Sequence, residues 1–142
     1  MTPLGITVYN ALYSSLDAMV QTDWTVYDGP SVVADSPGTV IVLGTDGEER
    51  AIESSQQDLV FGGGTEWETG TVYVLISSAN GNRDTATARS NVMAAYEDVA
   101  TACAGFTGYE AHVTLATVRQ AQTPNGAEVT AAVEVSYSGA LS

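Results

Sequence analysis

The chain has 142 residues with 17 acidic side chains and four arginines, which gives a formal net charge of -13 at pH 7. That length suits one domain with a core of its own. The acidic balance argues against a surface that grips nucleic acid, because such surfaces need clustered cations. It allows a wall past which DNA slides, because acidic groups repel phosphate.

The N-terminal part of the chain predicts one helix followed by two strands. "WTVYDGP" (24 to 30) indicates a short strand that Gly29 and Pro30 stop. "TVIVLG" (39 to 44) is continuously apolar, which is typical of a strand covered on both faces, and "TDGEE" follows it as a turn. The helix covers roughly residues 5 to 21, where apolar side chains recur at three- and four-residue steps at Ile6, Tyr9, Leu12, Leu16 and Met19.

Residues 50 to 76 predict a long hairpin with an apolar base and a polar outer half. Both faces of "RAIESSQQDLV" (50 to 60) become polar in the middle, so this strand leaves the core or lies at a sheet edge. After three glycines, the next strand begins polar and becomes apolar from Val72 to Ile76. The tip between these strands is therefore expected to project into water.

The rest of the chain predicts a second helix and a closing hairpin. The helix runs over roughly residues 84 to 104, begins near Asn82 or Asp84, and ends at Gly105. "AHVTLATVRQAQ" and "AEVTAAVEVSY" follow as strands, joined by "TPNG". We read one α+β domain over residues 1–142: a largely antiparallel sheet with two helices packed on one face and a long projecting hairpin. The helix residues expected to face the sheet are Val92, Tyr96, Val99 and Cys103.

No catalytic or metal-binding constellation stands out, so we expect neither an enzyme nor a cofactor. The triple glycine leads into a strand and has no lysine nearby, unlike a phosphate-binding loop. His112 is the only histidine and predicts a half-exposed strand residue, since no nucleophile elbow accompanies it. Cys103, the only cysteine, excludes an internal disulfide and lies on the apolar stripe of its helix, as a buried small hydrophobe does.

Two pairs of side chains leave alternatives open. Glu66 and Glu68 share one face of a strand and would suit a small acid hydrolase, although a solvated hairpin face is the simpler interpretation. Trp24 and Trp67 would serve as stacking platforms or, more commonly, as core or interface anchors. No apolar run is long enough to span a bilayer, and the N-terminus lacks the features of a signal peptide, so we expect a cytosolic product.

The order of these elements resembles the tail terminator proteins of long, non-contractile-tailed bacteriophages, especially those that infect actinobacteria. The resemblance covers nearly the whole chain. It rests on "DGP" after the first strand, "ETGTV" at a strand entry, "RDTATAR" at the start of the second helix, and "VSY" at the end of the closing hairpin.

That resemblance implies a ring, commonly a hexamer, that caps the head-proximal end of the tail tube, stops tube polymerisation and joins the tail to the neck. The implied partners are further copies of the chain, the tail tube protein and the neck or connector protein, while DNA passes through the lumen without specific binding. The implied location is the virion, after assembly in the host cytoplasm, with no membrane partner. Neck and tail-completion proteins of the same virion are the alternative, and the family has no catalytic residues to carry over.

The hairpin tip is the expected binding site for a neighbouring subunit or the last ring of tube protein. Large aromatic residues near an exposed tip commonly anchor an interface, and the glycines allow backbone angles closed to other residues. Glu66 and Glu68 would then lie at the rim or face the lumen. The expected contact residues are Phe61, Gly62, Gly63, Gly64, Thr65, Glu66 and Trp67.

Overall fold

A computed structural model describes residues 3–19, 24–29, 38–45, 50–58, 66–80, 84–123 and 126–140 of the chain. These residues form two helices and a mixed, mostly antiparallel six-stranded sheet, which confirms the predicted α+β class. The elements in chain order are α1 (Leu4–Ala18), β1 (Trp24–Asp28), β2 (Gly38–Leu43), β3 (Ile52–Asp58), β4 (Glu66–Asn80), α2 (Thr85–Ala104), β5 (Glu110–Thr123) and β6 (Gly126–Ala140).

The sheet is organised around β4 and β6, its two longest strands. Its strand order is β1-β2-β4-β6-β5, and β3 pairs with β4 on the side where β2 also pairs. β2 follows β4 up to the pair Leu43–Val74, and β3 continues the row from the pair Ile52–Val72. Among the described strands β3 has no second partner, so its predicted place at an edge of the sheet is confirmed.

Helix α1 buries a row of residues four positions apart. Leu4, Val8, Leu12 and Leu16 all lie in the core. Ile6, which the periodicity placed on the apolar stripe, is 44% exposed, so that part of the prediction is wrong. The row of i and i+4 neighbours, rather than a stripe through Ile6, faces the sheet because such residues stack on one side of a helix.

Helix α2 follows its prediction closely. Asp84 caps its N-terminus by accepting a 3.1 Å hydrogen bond from the Thr87 amide, and the hydrogen bonds from Thr87 lower the pKa of that carboxyl. Gly105 follows the last helical residue. Val92, Val99 and Cys103 are buried, while Tyr96 is half-buried.

Alternate residues of β4 and β6 form the sheet side of the core. Val72 pairs with Val135 and Val74 with Val133, and all four side chains are buried. The buried residues of both helices belong to the same cluster. The buried alternate residues of β6 are Val129, Ala131, Val133, Val135 and Tyr137.

Strand β2 differs from its prediction. Ile41 and Leu43 are fully buried, whereas Val40 and Val42 are only half-buried and do not belong to the core. The expectation of full cover on both faces is therefore wrong for the chain by itself. The hairpin tip and most of the "TDGEE" turn lie outside the described residues, so a projecting hairpin stays a prediction.

Candidate interaction surface

The predicted partner site at the hairpin tip is described only at its end. Phe61, Gly62, Gly63, Gly64 and Thr65 lie outside the described residues. The backbone of Glu66 begins β4 opposite Asp58. Trp67 is half-buried, and its sheet neighbours are Gln57 of β3 and Ala140 of β6. The last residue of the predicted site thus belongs to the paired sheet.

Glu68 contradicts its prediction as a solvated, rim or lumen residue, because its exposed fraction is 0%. Its Oε1 accepts a 2.7 Å hydrogen bond from the Leu4 amide. Its Oε2 accepts a 2.8 Å bond from the Gly5 amide and a 2.6 Å bond from the Tyr137 hydroxyl. At least these three donors converge on one buried carboxylate, and their hydrogen bonds offset the cost of burying its charge.

The carboxylate of Glu68 caps the N-terminus of α1. Pro3 occupies the N-cap position of α1 and makes no side-chain capping bond. The first amides of a helix lack partners within the helix and carry the positive end of its dipole, so a buried carboxylate there is favourable. The sequence signal for this role is that Pro3, the residue directly before Leu4, has no side-chain hydrogen-bond acceptor. Glu68 is accordingly a structural residue, which weakens the hydrolase alternative.

Tyr137 completes this buried cluster. Burial and the hydrogen bond to Glu68 raise the pKa of its hydroxyl, so the group remains a donor at neutral pH. A Cβ added at Gly5 or at Gly70 would collide with the Tyr137 hydroxyl. The glycine at both positions leaves the room that this tyrosine occupies.

The other residues considered for catalysis, metal binding or stacking lie on different elements of the fold. His112 is exposed on β5, 3.9 Å from Glu110, and is more exposed than predicted. Cys103 is buried, and burial raises the pKa of its thiol to about 12, so it is protonated at physiological pH. Trp24 is a core residue whose Nε1 donates a 2.8 Å hydrogen bond to Asp98. Among the described residues, no three His, Cys, Asp or Glu side chains are placed to hold a metal ion.

One face of the sheet carries apolar residues that the core leaves half-covered. We call it the outer face and define it by the residues that alternate with the core residues. Its aliphatic members Val40, Val42 and Leu75 are half-buried, as is Ala132. Leu75 pairs with Val42 on one side and with Ala132 on the other, so these side chains form one patch across three strands. This patch is the candidate surface for contact with another protein.

A groove of about 390 Å³ lies on this outer face. Its lining includes Leu75, Ala132 and Glu134 together with two of the four arginines, Arg50 and Arg119. The guanidinium of Arg50 lies 4.7 Å from the centre of the Tyr73 ring and also pairs with Glu53. The groove therefore places two arginine side chains beside apolar surface in a chain whose net charge is -13. Such a mixture suits protein contact better than acid-base catalysis.

Neither described helix is long and apolar enough to cross a membrane. No protein-family model matches the chain, and no curated protein matches it either.

Proposed function

We propose that this protein is a tail terminator of a long, non-contractile-tailed bacteriophage. In this proposal several copies, most simply six, form a ring at the head-proximal end of the tail tube. The ring stops polymerisation of the tube protein and gives the neck a surface on which to dock. The observation that carries the proposal furthest is the half-covered apolar patch of Val42, Leu75 and Ala132 on the outer face.

That patch supports assembly for a physical reason. Aliphatic side chains left partly in water gain free energy when a partner covers them, at roughly 25 cal/mol per Å² of apolar surface. Strand β2 has the sequence of a strand covered on both faces, yet Val40 and Val42 are only partly buried in the single chain. A neighbouring subunit or a tube subunit would supply the second cover.

The charge of the chain fits the same role. Six copies of a chain with net charge -13 carry 6 × -13 = -78 at neutral pH. An acidic lumen repels the phosphates of DNA, so the genome would pass without sticking. The positive groups would instead make contacts between proteins, and the two arginines that line the outer-face groove support this role.

Removal of the protein from the phage distinguishes this function from its alternative. Without a tail terminator, tube protein continues to polymerise, and we expect abnormally long tails that lack heads. A neck or tail-completion protein would instead leave tails of normal length that fail to join heads. Normal virions in the absence of the protein would refute both functions.

The copy number in purified tails provides a second check. Quantitative mass spectrometry, calibrated on the tube protein, should give several copies per tail, and electron microscopy should place them at the head-proximal end. A single copy per tail would contradict a ring.

The predicted tip is tested by deleting Gly62, Gly63 and Gly64. We expect the monomer to fold, as judged by its circular dichroism and unfolding midpoint, while tails become long or fail to join heads. The control replaces the three glycines by three serines, which keeps the length of the loop. Normal tails with the deletion would show that the tip has no part in assembly.

A further inference from the structure

Strand β5 presents a long edge at one end of the sheet. It has 14 residues and pairs only with β6 among the described strands. A long unpaired edge recruits other strands unless it is blunted by lysine, proline or a bulge. The chain has no lysine, and β5 contains no proline. Its one irregularity, between Leu115 and Thr117, divides the edge in two.

The part of β5 beyond this irregularity, residues 117 to 123, is the more accessible part. Every residue from 117 to 122 is exposed, including Val118 and Arg119. It also lies within residues 111 to 127, which form the longest stretch of the chain without Asp or Glu and include Arg119. This stretch itself therefore adds no negative charge against an acidic partner, although Glu128 of β6 lies opposite Ala121.

Strand β3 provides a matching edge on the opposite side of the sheet. It has seven residues, the same length as residues 117 to 123. Glu53, Ser54 and Ser55 are polar and exposed, so both faces of the first half of the strand are polar. β3 contains the two acids Glu53 and Asp58 and no cation. The side chain of Glu53 remains 52% exposed even though it pairs with Arg50.

We infer that residues 117 to 123 of one copy pair with β3 of the next copy. The occupant of the β5 edge is thus a second copy of this chain, and Arg119 of one copy approaches the acidic β3 edge of the other. The backbone groups of two edges supply the affinity, as in other cases of strand addition. Because β5 and β3 lie on opposite sides of the sheet, the contact is head-to-tail and each copy offers one edge of each kind.

Head-to-tail contacts close into a ring when a whole number of equal rotations between neighbours completes one full turn; otherwise they form open filaments. The inference therefore deepens the proposed function, on which its biological setting rests, by naming the contact that would build the ring. The contact itself is a property of the isolated protein and can be tested without the phage.

Hydrogen exchange tests where the copies meet. The full chain is measured at a concentration at which light scattering shows monomer, and again at one at which it shows assembly. We expect exchange to slow by about ten-fold or more in peptides from both β3 and the second half of β5. Slower exchange in β5 without β3, in β1 instead of β3, or in neither edge of an assembled sample would overturn the inference. A chain that remains monomeric at every concentration would overturn it too.

Charge reversal tests the proposed orientation. Arg119→Glu places an acid on the edge that meets β3, whereas Arg119→Gln only removes the cation. We expect the association constant to fall about ten-fold further for Arg119→Glu than for Arg119→Gln. Glu53→Arg added to Arg119→Glu should recover a large part of the loss, because each contact then joins opposite charges again. Equal association by all these variants, with unchanged circular dichroism, would exclude an electrostatic β5–β3 contact.

The two proposals fail in different ways. If rings are seen on tails but neither edge gains protection, the tail-terminator proposal stands and the β5–β3 contact is wrong. If the isolated chain assembles through both edges but the phage makes normal tails without it, the contact stands and the proposed function is wrong.

Discussion

The hydroxyl of Tyr137 donates a 2.6 Å hydrogen bond to Oε2 of Glu68, which joins the last strand to a buried carboxylate in β4. The same carboxylate accepts the amides of Leu4 and Gly5 at the start of α1. One side chain thereby holds together the first helix, a central strand and the last strand. Both oxygens must act as acceptors, because the Leu4 amide points at Oε1 whereas the Gly5 amide and the Tyr137 hydroxyl point at Oε2.

Glu68→Gln should destabilise the protein even though it keeps the size of the side chain. An amide has one acceptor oxygen, so its NH₂ group would face a backbone N–H and leave a buried donor unsatisfied. We expect the free energy of unfolding to fall by about 2 to 4 kcal/mol in urea titrations monitored by circular dichroism. Tyr137→Phe removes one donor and should cost about 1.5 to 3 kcal/mol. Additive effects in the double variant would argue against a coupled cluster.

Gly70→Ala should destabilise the protein by overpacking. A Cβ at this position would collide with the backbone oxygen of Glu53 and with Tyr137. We expect a loss of about 1 to 3 kcal/mol or more in unfolding free energy. Gly105→Ala is the matched control, because its Cβ would meet only the Ala102 oxygen at 3.6 Å, an ordinary contact. If both substitutions have the same small effect, the space around Tyr137 is less restricted than the geometry indicates.

Val99→Ala should create a cavity between α2 and the sheet. Val99 has no exposed surface and belongs to the core. We expect a cost of about 1 to 3 kcal/mol, measured as a lower urea midpoint at unchanged slope. Met93→Ala on the same helix is the control, since Met93 is 39% exposed and should change stability by about 0.5 kcal/mol or less. Similar costs for both would mean that the orientation of α2 is wrong.

Cys103 should react slowly with thiol reagents in the folded protein. Burial raises its pKa from 9.0 to about 12. Because the thiolate is the nucleophile and burial raises the pKa of this thiol, only a very small fraction is reactive at neutral pH, before any steric protection. Labelling with iodoacetamide should therefore track unfolding in a urea series. Rapid labelling in the absence of urea would show that Cys103 is accessible.

Residue patterns are sufficient to predict the parts of the fold that depend on neighbours in the chain. The boundaries of α2 followed from Asp84 and Gly105, and β6 followed from the strand pattern of "AEVTAAVEVSY". These features are local, since caps and periodicities act over a few residues. The acidic charge and the polar middle of β3 were likewise legible from residue types alone.

The role of Glu68 and the exposure of β2 depend on tertiary packing. Glu68 looked like one of two exposed acids on a hairpin, but the donors that bury it come from residues 63, 64 and 69 positions away. Val40 and Val42 looked like core residues, but the core covers only the other face of their strand. In both cases the outcome depends on which distant elements pack together, and no local pattern of residue types contains that information.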